Sequence, residues 1–107
     1  MSHFINLEEH ELREMVPGGF MKTNHTDHMT LAHWYFEEGA VLPEHSHPHE
    51  QISMIIEGEF ELKVGDETQR IKPGMVVTIP PNIVHGGRAL VKSYHIDIFY
   101  PVREDYL

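Results

Sequence analysis

The chain has 107 residues, no cysteine and a formal net charge of −9, which is enough for one domain, spanning 1–107, and too little for two. The acidic excess opposes binding to nucleic-acid backbones and to anionic membrane surfaces, and the lack of cysteine removes disulfides, thiolate metal sites and a cysteine nucleophile. No apolar run approaches the roughly 20 residues that span a bilayer, and Met1 to Glu9 show no basic stretch followed by an apolar one, so a soluble, cytoplasmic protein without an export signal is expected.

Taken in chain order, Asn6-Leu7-Glu8-Glu9 reads as a helix start, with Asn6 as N-cap and Glu9 behind it. A short helix is expected to run to about Met15, where Pro17-Gly18-Gly19 ends it. From there the signal is β. Met29 to Phe36, Gln51 to Ile56, Phe60 to Val64, Met75 to Ile79 and Tyr94 to Tyr100 are runs of β-branched, aromatic and apolar residues. Turn signals separate them at Gly39, Glu57-Gly58, Gly65-Asp66, Pro73-Gly74, Pro80-Pro81-Asn82 and Gly86-Gly87. Short strands with no helix between them predict an all-β antiparallel sandwich or barrel.

Histidine is the unusual feature, with 10 in the chain. Side chains alternate faces along an extended strand, so His45 and His47 project to one side and can reach one ion. His85 follows the Pro80-Pro81-Asn82 turn and can supply a third imidazole. Such nitrogens suit one divalent transition metal: zinc, nickel, iron, manganese, cobalt or copper. His49 shares their parity, but Pro48 bends the chain before it. His3, His10, His25 and His28 stand alone and read as surface or satisfied core residues.

These spacings resemble the cupin family. Its first motif is matched by Gly39, His45, His47, position 51 and Gly58, and its second by Gly74, Pro80 and His85, with Asn82 in place of a glycine. The resemblance implies a jelly-roll (double-stranded β-helix) barrel with its core over about 29–100, and it makes position 51 the fourth metal ligand. Many cupins carry glutamate there; this chain has Gln51. A neutral amide leaves more positive charge on the ion, which favours Lewis-acid work and weakens metal affinity. Glu50 is adjacent, but strand alternation turns it to the opposite face.

A narrower resemblance is to the KdgF-type small cupins. It rests on His45-Ser46-His47-Pro48-His49-Glu50-Gln51, the Ile79-Pro80-Pro81-Asn82 turn and the tail Ile96-Asp97-Ile98-Phe99-Tyr100-Pro101-Val102-Arg103-Glu104-Asp105-Tyr106. It implies metal-dependent conversion of 4,5-unsaturated monouronates, released from pectin or alginate, to linear 4-deoxy-5-keto forms. Asp97 shares parity with His95 and Phe99, so a carboxylate inside the barrel is a candidate general acid/base; the ordinary alternative is an exposed strand aspartate. Arg103 can pair bidentately with a uronate carboxylate, or instead with Glu104, Asp105 or another surface acid. Arg88 is a second candidate for that contact, and Phe99 can form an apolar wall against the sugar ring.

If Gln51 points inward, Ile52, Met54 and Ile56 point outward, as do Ile96 and Ile98, and such a row calls for a cover. A homodimer is expected. Other functions compatible with the sequence are a cupin dioxygenase and a non-catalytic sugar- or metal-binding cupin.

Overall fold

In the computed structural model, residues 2–107 are described. The chain forms ten strands: β1 (Arg13–Val16), β2 (Gly19–His25), β3 (Thr30–Phe36), β4 (Val41–His45), β5 (Glu50–Glu57), β6 (Phe60–Val64), β7 (Glu67–Ile71), β8 (Val76–Ile79), β9 (His85–Ala89) and β10 (Ser93–Tyr100). They build two antiparallel sheets. The six-stranded one has the order β1-β2-β3-β10-β5-β8 and the four-stranded one β4-β9-β6-β7. The sheets face each other around one apolar core that includes Met21, Ala32, Trp34, Phe36, Ile55, Phe60, Leu62 and Ile71. Trp34 stacks on Phe36 with centroids 5.0 Å apart, and Phe36 meets Phe60 at the same distance. Fully burying an aromatic such as Phe60 contributes roughly 1.5–3 kcal/mol. This is the expected jelly-roll barrel. Among the described residues no helix is long and apolar enough to cross a membrane.

The expected N-terminal helix is instead a single 3-10 turn, Leu7–Glu9. Asn6 does cap it, its side-chain oxygen accepting from the Glu8 amide at 3.0 Å. The turn buries none of its residues, and a short helix without a packed face is not stable in water. The residues that were to continue the helix pair with β2 as β1, Arg13 opposite Met21. Lys22 Nζ donates to the Leu7 carbonyl at 3.1 Å, tying the turn to the sheet.

The five β-branched and aromatic runs became β3, β5, β6, β8 and β10, each within a residue or so of its expected bounds. The other strands carry weak local signals. β7, Glu67-Thr68-Gln69-Arg70-Ile71, is a mostly exposed edge strand with one buried side chain. Gly86-Gly87, read as a turn, lies inside β9, where Leu42 of β4 and Leu62 of β6 both sit opposite Gly87. A Cβ there would run into the Glu61 backbone, so glycine permits close strand approach rather than a turn.

The barrel's turns explain the one departure from the second motif. Asn82, standing where the motif has glycine, adopts φ 67°. Asparagine tolerates this left-handed conformation better than other non-glycine residues. Its amide donates to the His47 carbonyl at 2.8 Å, so the same turn presses against the first motif.

Candidate metal centre and active site

β4 ends on His45 and β9 begins on His85, and the two are cross-strand partners. His47 lies in the connection to β5, whose second residue is Gln51. One nitrogen from each of His45, His47 and His85 can be chosen so that all lie within 4.8 Å of one another. His47, His85 and Gln51 are buried, while His45 is half-buried at the barrel mouth.

The hydrogen bonds select a tautomer. The Nδ1 atoms of His45, His47 and His85 lie 2.8, 3.1 and 2.9 Å from the carbonyls of Pro43, His49 and Ile83. A carbonyl only accepts, so each Nδ1 donates. Burial pushes His47 down to about 4, with the Arg103 charge adding to the effect, and lowers His85 in the same direction. In a neutral ring with Nδ1–H, Nε2 carries a lone pair, the arrangement that orients metal-ligating histidines. His85 Nε2 is buried without a partner among the described residues. His47 Nε2 faces the Gln51 amide oxygen at 3.0 Å, a lone pair against a lone pair, which a cation relieves. The residues therefore fit a divalent ion held by His45, His47, His85 and the Gln51 oxygen. His49 contributes its backbone carbonyl to His47 and stays outside the three-nitrogen cluster.

Deeper in the barrel, β10 turns His95, Asp97 and Phe99 inward. Asp97 sits opposite Ser53 of β5. Burial pushes its carboxyl up to about 6, against a hydrogen bond from Ser53 and the charge of Arg103, which both pull it down. Its Oδ1 is buried without a partner among the described residues. Gln51, Ser53, His85, His95 and Asp97 line an internal cavity of about 20 Å³, room for one water-sized species. A larger groove of about 260 Å³ lies elsewhere, between β6, β7 and β8, and holds none of the candidate site residues.

Arg103 is also inside. Its Nε and Nη2 donate to the Asp105 carboxylate at 3.0 and 2.7 Å. The guanidinium lies 4.0 Å from the Tyr106 ring centroid and 4.8 Å from that of Phe99. The alternative pair with Asp105 forms, while Nη1 remains buried and unpartnered among the described residues. Phe99 packs edge-on to His47 at 5.5 Å and belongs to the buried core. Arg88 is removed from the site: it is exposed and pairs with Glu61 at 3.2 Å on the outer surface of the four-stranded sheet.

Two residues escaped the sequence reading. Ser53 shares Gln51's parity on β5 and could have been found from it. Tyr106 closes over Arg103, and burial pushes its phenol up to about 12; nothing local to the tail signals that placement.

A barrel of two antiparallel sheets with inward histidines from β4, β9 and the connection between β4 and β5 is the cupin arrangement. Residues 32–93 match the Cupin domain family model, and the chain belongs to that family. It is 32% identical to the pectin degradation protein KdgF of Dickeya dadantii (strain 3937) over 77% of this chain and 76% of that protein. Its structure is similar to KdgF from Halomonas sp., with a TM-score of 0.90 and 36% identity over 100% of this chain and 99% of that one. It is also similar to an RmlC-like cupin from Shewanella frigidimarina NCIMB 400, with a TM-score of 0.93 and 28% identity over 100% and 97% of the two chains.

Proposed function

We propose that this cupin is a metal-dependent enzyme that converts 4,5-unsaturated monouronates to their linear 4-deoxy-5-keto forms. The observation that carries the reading is Asp97, a buried carboxyl with a free Oδ1 in the chamber next to the three-histidine cluster. The similarity to KdgF proteins supports the substrate class.

A divalent ion at His45, His47, His85 and Gln51 supplies a Lewis acid for an oxygen of the substrate. Arg103 Nη1 binds the uronate carboxylate, and the pair with Asp105 holds the guanidinium at the angle the substrate meets. Phe99 and Tyr106, whose rings are nearly perpendicular, form a corner that holds that guanidinium and limits its rotation. Asp97 takes a proton from the hydroxyl that releases the open chain and returns it to C4 as the enolate left by ring opening becomes a ketone. The overall change is an isomerisation, so no external oxidant or reductant is consumed. A carboxyl pushed up to about 6 is suited to moving protons both ways near neutral pH.

Loss of the 4,5-unsaturated ultraviolet chromophore of unsaturated galacturonate tests the reading. Metal-loaded protein should accelerate the loss, and metal-stripped protein and Asp97→Asn should not. Full rate from both altered proteins overturns it, and oxygen uptake with substrate would favour a dioxygenase instead.

A second copy of the chain is the proposed partner. On the outer face of the six-stranded sheet, Leu31, Ile98 and Ile52 align across β3, β10 and β5, and Ile96 lies beside Met54. Light scattering at micromolar concentration should give twice the chain mass.

A further inference from the structure

The amide of Gln51 has two faces, and only its oxygen can bind a cation. Its Oε1 points at His47 Nε2 at 3.0 Å and its Nε2 donates to Ser53 Oγ at 2.8 Å. Without an ion this sense is the unfavourable one. His47 Nδ1 donates to the His49 carbonyl, so Nε2 offers a lone pair to an oxygen that also has lone pairs. A flipped amide would place its N–H on that lone pair. Something must hold the sense observed.

Ser53 has one proton and two lone pairs. Asp97 is its partner in register across the strand pair and is likewise buried, so a carboxylate stands beside it to take that proton. With the proton committed to the carboxylate, Ser53 can only accept from position 51, and it accepts from the amide N–H. A flipped amide would then set Gln51 Oε1 against the Ser53 lone pairs. Gln51 and Ser53 are both buried, so no bulk water replaces a lost partner.

We infer that Ser53 is a positioning residue: it carries the polarity of the Asp97 carboxylate to Gln51 and thereby fixes the amide oxygen toward the three-histidine metal site. The inference rests on the metal-centre reading above. It also gives a reason for glutamine and an inward serine to occur together on this strand. A carboxylate at position 51 has two equivalent oxygens and no wrong face, so it needs no such guide.

Zinc titration by calorimetry, read as affinity and not as activity, tests this in two backgrounds. In the native Gln51 background, Ser53→Ala should weaken zinc binding by about 10-fold or more, as for other groups that orient ligands. In the Gln51→Glu background the same substitution should cost no more than ~2-fold, the scatter of independent sites. Asp97→Asn, which opens no cavity, should show the same dependence on the residue at 51, and Ser53→Thr should restore native affinity. Equal losses in both backgrounds, or none in either, overturn the role of Ser53 while leaving the metal centre intact. A native protein that binds no zinc overturns both.

Discussion

The two faces of β10 reverse the usual relation between polarity and burial. Inward, Ser93, His95, Asp97 and Phe99 are all no more than 6% exposed. Outward, Tyr94, Ile96 and Ile98 are only half-buried. β5 repeats the pattern, with Gln51 and Ser53 inside while Ile52 and Ile56 are 40% and 41% exposed. Burying polar groups costs free energy unless they are paired, yet Asp97 Oδ1, His85 Nε2 and His95 Nε2 have no partner among the described residues. The aromatic cluster of Trp34, Phe36 and Phe60, which lines the same chamber, helps offset that cost. The inner face therefore carries the unpaired polar groups and the outer one the apolar row, and substitutions should affect the two in different ways.

The largest effect should follow loss of a ligand. His85→Ala should abolish metal binding and reduce uronate turnover to background, read by elemental analysis and chromophore loss. Because binding to the folded state alone is stabilising, native protein should gain about 2.7 kcal/mol at an ion concentration 100 times Kd, and the variant should gain nothing in the same thermal melt.

Next in size is Asp97→Asn, with an expected rate loss of about 10²- to 10⁴-fold. Fold stability should move the other way. The folded state holds its Asp97 proton up to about pH 6 and the unfolded chain releases it near 3.8. The stability linked to this group is thus fully present below 3.8 and is lost as pH rises through about 6, for a cost of up to about 3 kcal/mol at neutral pH. Asp97→Asn removes that cost, so urea melts at pH 7 should show an inactive protein no less stable than the native one.

His95 gives the opposite slope. Burial between Phe36 and Phe60 pushes it down to about 3. The folded state refuses a proton the unfolded chain accepts at 6.5, so stability is complete above 6.5 and falls on acidification. Between pH 6.5 and 5 the loss should reach about 2 kcal/mol. Comparing the pH dependence of His95→Phe with that of native protein measures this share, and identical curves would count against it.

The smallest effect on the fold should come from the outer face. Ile52→Glu should change monomer stability by about 0.5 kcal/mol or less, as at other surface positions. It should still convert the proposed dimer to monomer in light scattering, since it would place like charges across the proposed two-fold contact. A protein that remains dimeric would place the interface elsewhere.

Much of this was legible in the residues themselves. Five strands announced themselves by β-branched and aromatic runs, and alternation put His45 with His47 and set Gln51 apart from Glu50. The motif spacing tied His85 to them across the chain. The short strands β7 and β9 were not legible, because Glu67 to Arg70 and Gly86-Gly87 have no local preference for strand and take it only from neighbours already in place. The N-terminal helix was a local signal overruled, since its residues gained more by pairing with β2 than by forming an unpacked helix. Alternation also cannot say which face of a strand is inside. For β10 the apolar face looks outward, so hydrophobicity alone would have exposed Asp97.

The sequence by itself determined which three histidines come together, because the motif spacing and the period of an extended strand fix that grouping. Tertiary structure alone decided what surrounds them. It seated Arg103 against Phe99 and Tyr106, sent Arg88 to the outer surface, and put Ser53 between Gln51 and Asp97, since each placement depends on residues distant in sequence meeting in a closed barrel.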